Sequence, residues 1–223
     1  MAANYWESSQ FQRFMLTRYE LAELEMILRI GKRLRTRQEI VATAIIYFKR
    51  FYINNTFYDI DPYLMTTTCV YLACKVSQDI RFPYDVSDIA ECESYLLEEM
   101  KFYLVVYHPY QVLIDVSEQI KLPKASLQAA WSIINDSYQT DVSLVCPPHV
   151  IAVAAMFLSR VVDQGGQSDV EAQQWFADMN VDITDILQVV NELLSLYDIW
   201  NGYSEDKMPE LVYRYISDIA ASN

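Results

Sequence analysis

A chain of 223 residues with 52% apolar side chains can build a real core in one or two domains, and its 30 acids against 17 bases leave a net charge of −13. That balance opposes polyanions, the 4 glycines are too few for phosphate-cradling nucleotide loops, and no run reaches the ~18 apolar residues of a bilayer span. The amino terminus MAANYWESSQ has no basic segment leading into an apolar one, so the expectation is a soluble intracellular protein.

In chain order, the first predicted helix covers 4–15 and carries Tyr5, Trp6 and Phe11. Helices over 18–33 and 38–54 come next, and their junction RIGKRLRTR gathers Arg29, Lys32, Arg33, Arg35 and Arg37. Residues 13–50 hold nine bases against four acids, which leaves the rest of the chain at −18. Cations near a helix carboxyl end are favoured by the dipole, so a solvated face explains the cluster. A docking patch for an acidic or phosphorylated partner explains it equally.

The helix predicted over 62–78 is the clearest, because Met65, Cys69, Leu72, Ala73 and Val76 form one apolar stripe. Lys75 lies off that stripe. Two helices are then expected, over 84–91 and 92–106. In the second of these Tyr95, Leu96, Leu97, Met100, Phe102, Tyr103 and Leu104 wrap most of the circumference, more apolar area than one core-facing side needs. The excess must meet either a partner or the other half of the chain.

The junction VVYHPYQVL (105–113) has no Gly/Ser-rich linker, so the segments on either side are expected to pack closely. Helices over 109–121, 124–140, 147–163, 169–179 and 183–202 complete the body. GGQSD (165–169) is a looser turn, and SEDKMPE (204–210) detaches a tail helix over 208–220.

The chain repeats itself. PYLMTTTCVYLACKV (62–76) and PHVIAVAAMFLSRVV (148–162) are one pattern, and QEIVATAIIYFKRFY (38–52) and KASLQAAWSIINDSY (124–138) recur at the same offset, 148 − 62 = 124 − 38 = 86. In this register Val41, Ala44, Ile45, Phe48 and Tyr52 face Leu127, Ala130, Trp131, Ile134 and Tyr138. Where the second copy has Val161, the first has Lys75. One copy therefore offers a surface charge that the other lacks.

Chemistry is hard to find. Cys69, Cys74, Cys92 and Cys146 make no CxxC pair and read as small buried thiols, while His108 and His149 each neighbour a proline and read as helix-start residues. No metal site and no catalytic constellation can be named.

The strings ATAIIYFKRFY (42–52), DPYLMTTTCVYLACKV (61–76), ECESYLLEEMKFYLVVYHPY (91–110), INDSYQTD (134–141) and AQQWFADM (172–179), with NYWESS near the amino terminus, resemble the cyclin family over nearly the whole chain. Within it they are most similar to the cyclins of the Mediator kinase module. The resemblance implies an all-α fold of two tandem five-helix cyclin-box repeats with an added amino-terminal helix and a short carboxy-terminal tail helix. The implied divisions are 1–17, 18–107 (kinase-binding), 108–203 and 204–223. It further implies a non-enzymatic activating subunit of a cyclin-dependent serine/threonine kinase, nuclear, without cofactor, membrane contact or direct nucleic-acid binding. Lys75 and Glu93 match the family's lysine and glutamate that hydrogen-bond the kinase backbone, with Leu72, Val76, Leu97, Phe102 and Leu104 as an apolar floor. Tyr5, Trp6, Phe11 and the basic segment 29–37 become candidate contacts for the kinase or other Mediator-kinase-module subunits.

Departures matter as well. Ser77 and Gln78 succeed Lys75-Val76 where many cyclins carry an acidic pair, and TRYELAELEMIL lacks the apolar substrate-docking motif of cell-cycle cyclins. Glu20 and Lys49 stand where those cyclins have an Arg–Asp buttress, an arrangement that a swapped ion pair would satisfy. A repeat protein of the transcription factor IIB type, binding nucleic acid or transcription machinery, is the alternative of another class, although it calls for a basic surface and usually a zinc ribbon.

Overall fold

Prolines and short polar side chains open several of the helices in the computed structural model, which describes residues 17–56, 60–77, 87–163 and 182–202. Side chains of 17–23, 87–88, 163 and 202 lie outside that description, as do the predicted helices over 4–15, 169–179 and 208–220. Among the described residues there are nine helices and no strand: α1 (Thr17–Leu34), α2 (Gln38–Tyr52), α3 (Pro62–Val76), α4 (Ser87–Glu99), α5 (Pro109–Gln119), α6 (Lys124–Ser137), the single turn α7 (Val142–Val145), α8 (Pro148–Asp163) and α9 (Ile183–Gly202).

Asp61 caps α3 by accepting a hydrogen bond from the Tyr63 amide at 3.1 Å, and Pro62 fills the first helical position, where no N–H is needed. Asp182 caps α9 in the same way through the Thr184 amide at 2.9 Å. Pro109 and Pro148 open α5 and α8. In α2 the acid Glu39 lies in the first turn and the bases Lys49 and Arg50 in the last, both favourable to the helix dipole.

α1, α2, α3 and α4 pack on one another, and α5, α6, α8 and α9 pack on one another. The starts of α2 and α6, and of α3 and α8, are each separated by the 86 residues of the sequence offset (124 − 38 and 148 − 62). The matched residues Val41, Ala44, Ile45, Phe48 and Tyr52 are buried, as are Ala130, Ile134 and Tyr138, with Leu127 and Trp131 half-buried against the same core. α2 is the most enclosed element, with eleven buried residues.

Four polar contacts tie α2 to the chain beyond α4. Tyr47 donates to the Leu104 carbonyl at 2.6 Å, Arg50 to the Tyr103 carbonyl at 3.4 Å, and Lys49 to the Thr140 carbonyl at 2.5 Å, with Asp141 3.9 Å from the same ammonium. The fourth is a chain through His108. Thr43 Oγ1 donates to the Glu39 carbonyl at 2.8 Å, so it accepts from His108 Nε2–H at 2.8 Å. Nδ1 then accepts from the Tyr138 hydroxyl at 2.7 Å. His108 precedes Pro109 as expected, yet its ring makes no cap bond. Burial holds its pKa down, at about 4, so the imidazole is neutral.

Three helices end alike. An amide just past each last turn reaches back five residues to close it: Thr36 to Gly31 at 3.1 Å, Phe102 to Leu97 at 3.0 Å and Leu122 to Ser117 at 2.9 Å. The position that ordinarily takes glycine holds Arg35 (φ 52), Lys101 (φ 50) and Lys121 (φ 51), at a cost of about 1–2 kcal/mol each. Gly31 suits the α1–α2 crossing, because a Cβ there would meet Val41 Cγ2 at 2.5 Å and force a shift.

Two expectations fail around α4. The helices placed over 84–91 and 92–106 are not separate across 91–92, because α4 runs unbroken from Ser87 to Glu99. It then stops seven residues early. Lys101 and Phe102 are both left-handed, and 103–108 is non-helical. Glu93 consequently lies inside α4, not at a helix opening, and Phe102, Tyr103 and Leu104 lie beyond its end. The turn α7 was not anticipated. Glu20's side chain is outside the description, and Lys49 reaches the Thr140 carbonyl.

Candidate functional site

Lys75 occupies the last turn of α3, and Glu93 the second turn of α4 packed beside it. The ammonium grips both carboxylate oxygens, at 2.8 and 3.1 Å. The partners are unequally covered: the Lys75 side chain is 54% exposed and that of Glu93 12%. The hydrogen bond that Lys75 donates to Glu93 raises the Lys75 pKa, and the ammonium also lies 5.6 Å over the Tyr71 ring. Lys75 is therefore a fixed cation whose ammonium can engage Glu93 through two of its three donors while its side chain remains half exposed.

The apolar surroundings divide by depth. Leu72 is buried in the core at 2% exposure, so it supports the surface from beneath and is no part of an exposed floor. Leu97 and Leu104 are half-buried against that core, and Val76 is exposed. Phe102 stands out at 70% exposure, carried on the second of two left-handed residues (φ 62). No fold requirement explains such a ring in water, since a strained backbone and an exposed aromatic both oppose stability.

The ledge extends further than the residues singled out in the sequence. Tyr95 on α4 is exposed, and past Leu104 the exposed Val105 and Tyr107 alternate with half-buried Val106 and His108. The two-residue alternation of YLVVYH could have revealed an extended segment, had it not been read as helix. Tyr5, Trp6 and Phe11 lie outside the described residues.

The basic cluster forms a separate surface at the α1–α2 elbow. Arg29, Lys32, Arg33, Arg35 and Arg37 are all exposed. Arg29 pairs with Glu25 at 2.7 Å, one turn earlier on α1. Cys69, Cys74 and Cys92 are buried free thiols and Cys146 is half-buried. Among the described residues no helix is long and apolar enough to cross a membrane, and no group of three His, Cys, Asp or Glu side chains is arranged to hold a metal ion.

Comparison with known proteins identifies the family. Residues 8–105 match the family described as "Cyclin, N-terminal domain". The "RNA polymerase II holoenzyme cyclin-like subunit" of Emericella nidulans is 33% identical over 295 aligned positions, covering 97% of this chain and 98% of the relative. "Cyclin-C" of Rattus norvegicus is 35% identical over 248 positions, covering 93% of this chain and 87% of the relative. Among solved structures, a chain of the yeast TFIIK (Kin28/Ccl1/Tfb3) complex has a TM-score of 0.67 at 20% identity, covering 86% of this chain and 99% of that one. A chain of the yeast RNA Pol II CTD kinase CTDK-1 complex gives 0.65 at 17% identity, covering 84% and 67%. These two show a shared fold, while the sequence relatives show descent: the chain belongs to the cyclin family, with cyclin C and the holoenzyme cyclin-like subunits among its relatives.

Proposed function

We propose that this cyclin is the activating subunit of a cyclin-dependent serine/threonine kinase working in RNA polymerase II transcription in the nucleus, and that it performs no chemistry itself. The observation that carries the reading is the Lys75–Glu93 pair set in an exposed apolar ledge, with Phe102 held out in solvent past the end of α4. The Emericella relative is named as a cyclin-like subunit of the RNA polymerase II holoenzyme, and a structural neighbour comes from an RNA Pol II CTD kinase complex. Residues 18–107 would be the kinase-binding repeat, 108–203 the second repeat, and 1–17 and 204–223 the flanking segments. Within the Mediator kinase module, Tyr5, Trp6 and Phe11 are the contacts we assign to the kinase or a further subunit.

The mechanism is a population shift. A free kinase holds its regulatory helix displaced, which breaks the Lys–Glu ion pair that orders the ATP phosphates. A partner that prefers the helix-in state by about 5.5 kcal/mol turns a 1:99 mixture into 99:1. Lys75 supplies one charge-assisted hydrogen bond to kinase backbone, worth about 1.5–3 kcal/mol, and Phe102 an aromatic anchor worth about 2 kcal/mol or more. Glu93 first acts as the support that aims Lys75, and it contacts the kinase itself once the ammonium turns outward. No large rearrangement of the cyclin is needed.

The test is reconstitution. The chain mixed with a transcriptional cyclin-dependent kinase should co-purify and switch on peptide phosphorylation, and Lys75→Ala with Glu93→Ala should abolish both. Full activation by that double variant would refute the interface.

A further inference from the structure

We propose that the α1–α2 elbow is a docking site for a phosphorylated segment of a partner protein, separate from the kinase-binding ledge and independent of it. The decisive observation is internal. The elbow between α1 and α2 recurs, 86 residues later, between α5 and α6 (121 − 35). Both end in the same reverse hydrogen bond, Thr36 to Gly31 and Leu122 to Ser117. Both put a left-handed cation at the corner, Arg35 and Lys121. Both enter the next helix through an extended residue without a side-chain cap, Arg37 (φ −64, ψ 149) and Pro123 (φ −56, ψ 144).

Their charges differ completely. The first elbow, RIGKRLRTRQ (29–38), has five cations and no acid, whereas the second, DVSEQIKLPK (115–124), balances Asp115 and Glu118 against Lys121 and Lys124. The backbone motif therefore closes without a cationic cluster, and folding does not account for the cluster in the first copy. Arg29 is partly satisfied by Glu25, but Lys32, Arg33, Arg35 and Arg37 are exposed and, among the described residues, none is within 4.0 Å of a carboxylate. One acid, Glu39, lies nearby in the first turn of α2.

Three of the four open cations are arginines, whose planar forks match phosphate oxygens two at a time, and a phosphate brings more charge and more acceptor oxygens to several cations than a plain carboxylate does. The corner is also rigid. Gly31 lies hard against Val41, and Thr36 Oγ1 adds a 3.4 Å bond to the Gly31 carbonyl, so the guanidinium groups are presented from a fixed frame. A short phosphorylated segment fits this surface better than a nucleic acid does. Outside residues 13–50 the chain carries −18, and a long polyanion crossing the elbow would run onto repelling surface.

The test uses the full chain and fluorescence anisotropy with a short serine-rich peptide, bearing two phosphoserines or none, and a single-stranded RNA of matched charge. The doubly phosphorylated form should bind about tenfold tighter or better than the unmodified one. The variant Arg33→Gln/Arg35→Gly/Arg37→Pro places at these positions residues that the second elbow or a left-handed corner already accepts. It should lose the preference while keeping its melting temperature. Lys121→Glu/Lys124→Glu in the second elbow should leave the preference intact. Equal binding of the two peptides, tighter binding of the RNA, a preference surviving in the first variant, or one lost in the second would each overturn the proposal.

Discussion

The carboxyl ends of α3 and α8 stand in the same register and differ in one decisive respect. The buried stripe Met65, Cys69, Leu72 and Ala73 has its counterpart in Ile151, Ala155, Leu158 and Ser159, all buried. At the outward position, however, α3 carries Lys75 clasped to Glu93, and α8 carries Val161, 42% exposed. The core thus needs neither side chain. What the two copies share is the requirement of packing, and what separates them, on the function proposed above, is the requirement of a partner.

The strongest way to break this contrast is to remove the charge from α3. Lys75→Ala/Glu93→Ala should weaken kinase capture by about a hundredfold or more, a loss of ~3 kcal/mol or above by pull-down or calorimetry. The melting temperature should barely move. Lys75→Ala alone should be the less stable of the two variants, by about 1 kcal/mol in urea, because it strands the largely covered Glu93 carboxylate.

Next in size comes the seam that joins the copies. His108→Ala leaves the buried Tyr138 hydroxyl without its acceptor and should cost about 1–3 kcal/mol in chemical denaturation. The same ring predicts a pH dependence. Its folded pKa of about 4 lies below the ordinary 6.5, so between those values the unfolded chain binds the proton more readily. Its contribution, on the order of 3 kcal/mol, is complete above about pH 6.5 and lost as pH falls toward 4. Melting curves across that window should slope for the native chain and flatten for His108→Ala.

A finer probe is Phe102→Gly. It should reduce kinase capture about thirtyfold, the equivalent of ~2 kcal/mol, without lowering the melting temperature, because glycine relieves the left-handed backbone. The smallest effect belongs to Val161→Lys, which writes the first copy's charge into the second. Stability should change by less than about 0.5 kcal/mol at so exposed a position, and kinase capture should stay the same. A gain of kinase binding there would mean that the copies differ less than their surfaces imply.

Much of this was legible in the sequence, since burial repeats with helical period and a repeat doubles the signal. The 86-residue offset gave the starts of α2, α3, α6 and α8, because apolar spacing and proline punctuation both act locally. Lys75 stood out as a charge on a greasy helix. The end of α4 did not, because MKFYLVVY contains neither glycine nor proline, and two non-glycine residues adopt the left-handed turn. That turn is why Phe102 and Leu104 belong to a ledge and not to a helix face. Glu93 was legible through family likeness, but its unequal burial against Lys75 depends on how α3 and α4 pack. The bridge from Thr43 through His108 to Tyr138 joins residues far apart in the chain, and no local pattern encodes it.

α2 has a consequence of its own. One face of this helix props the Tyr103 and Leu104 carbonyls beside the exposed aromatics, and the same helix anchors Thr140 and, through the imidazole, Tyr138. It works as a common axle. On the function proposed above, a subunit clamped to the carboxy-terminal half would load the very rod that holds the ledge, and grip and regulation would share one mechanical member.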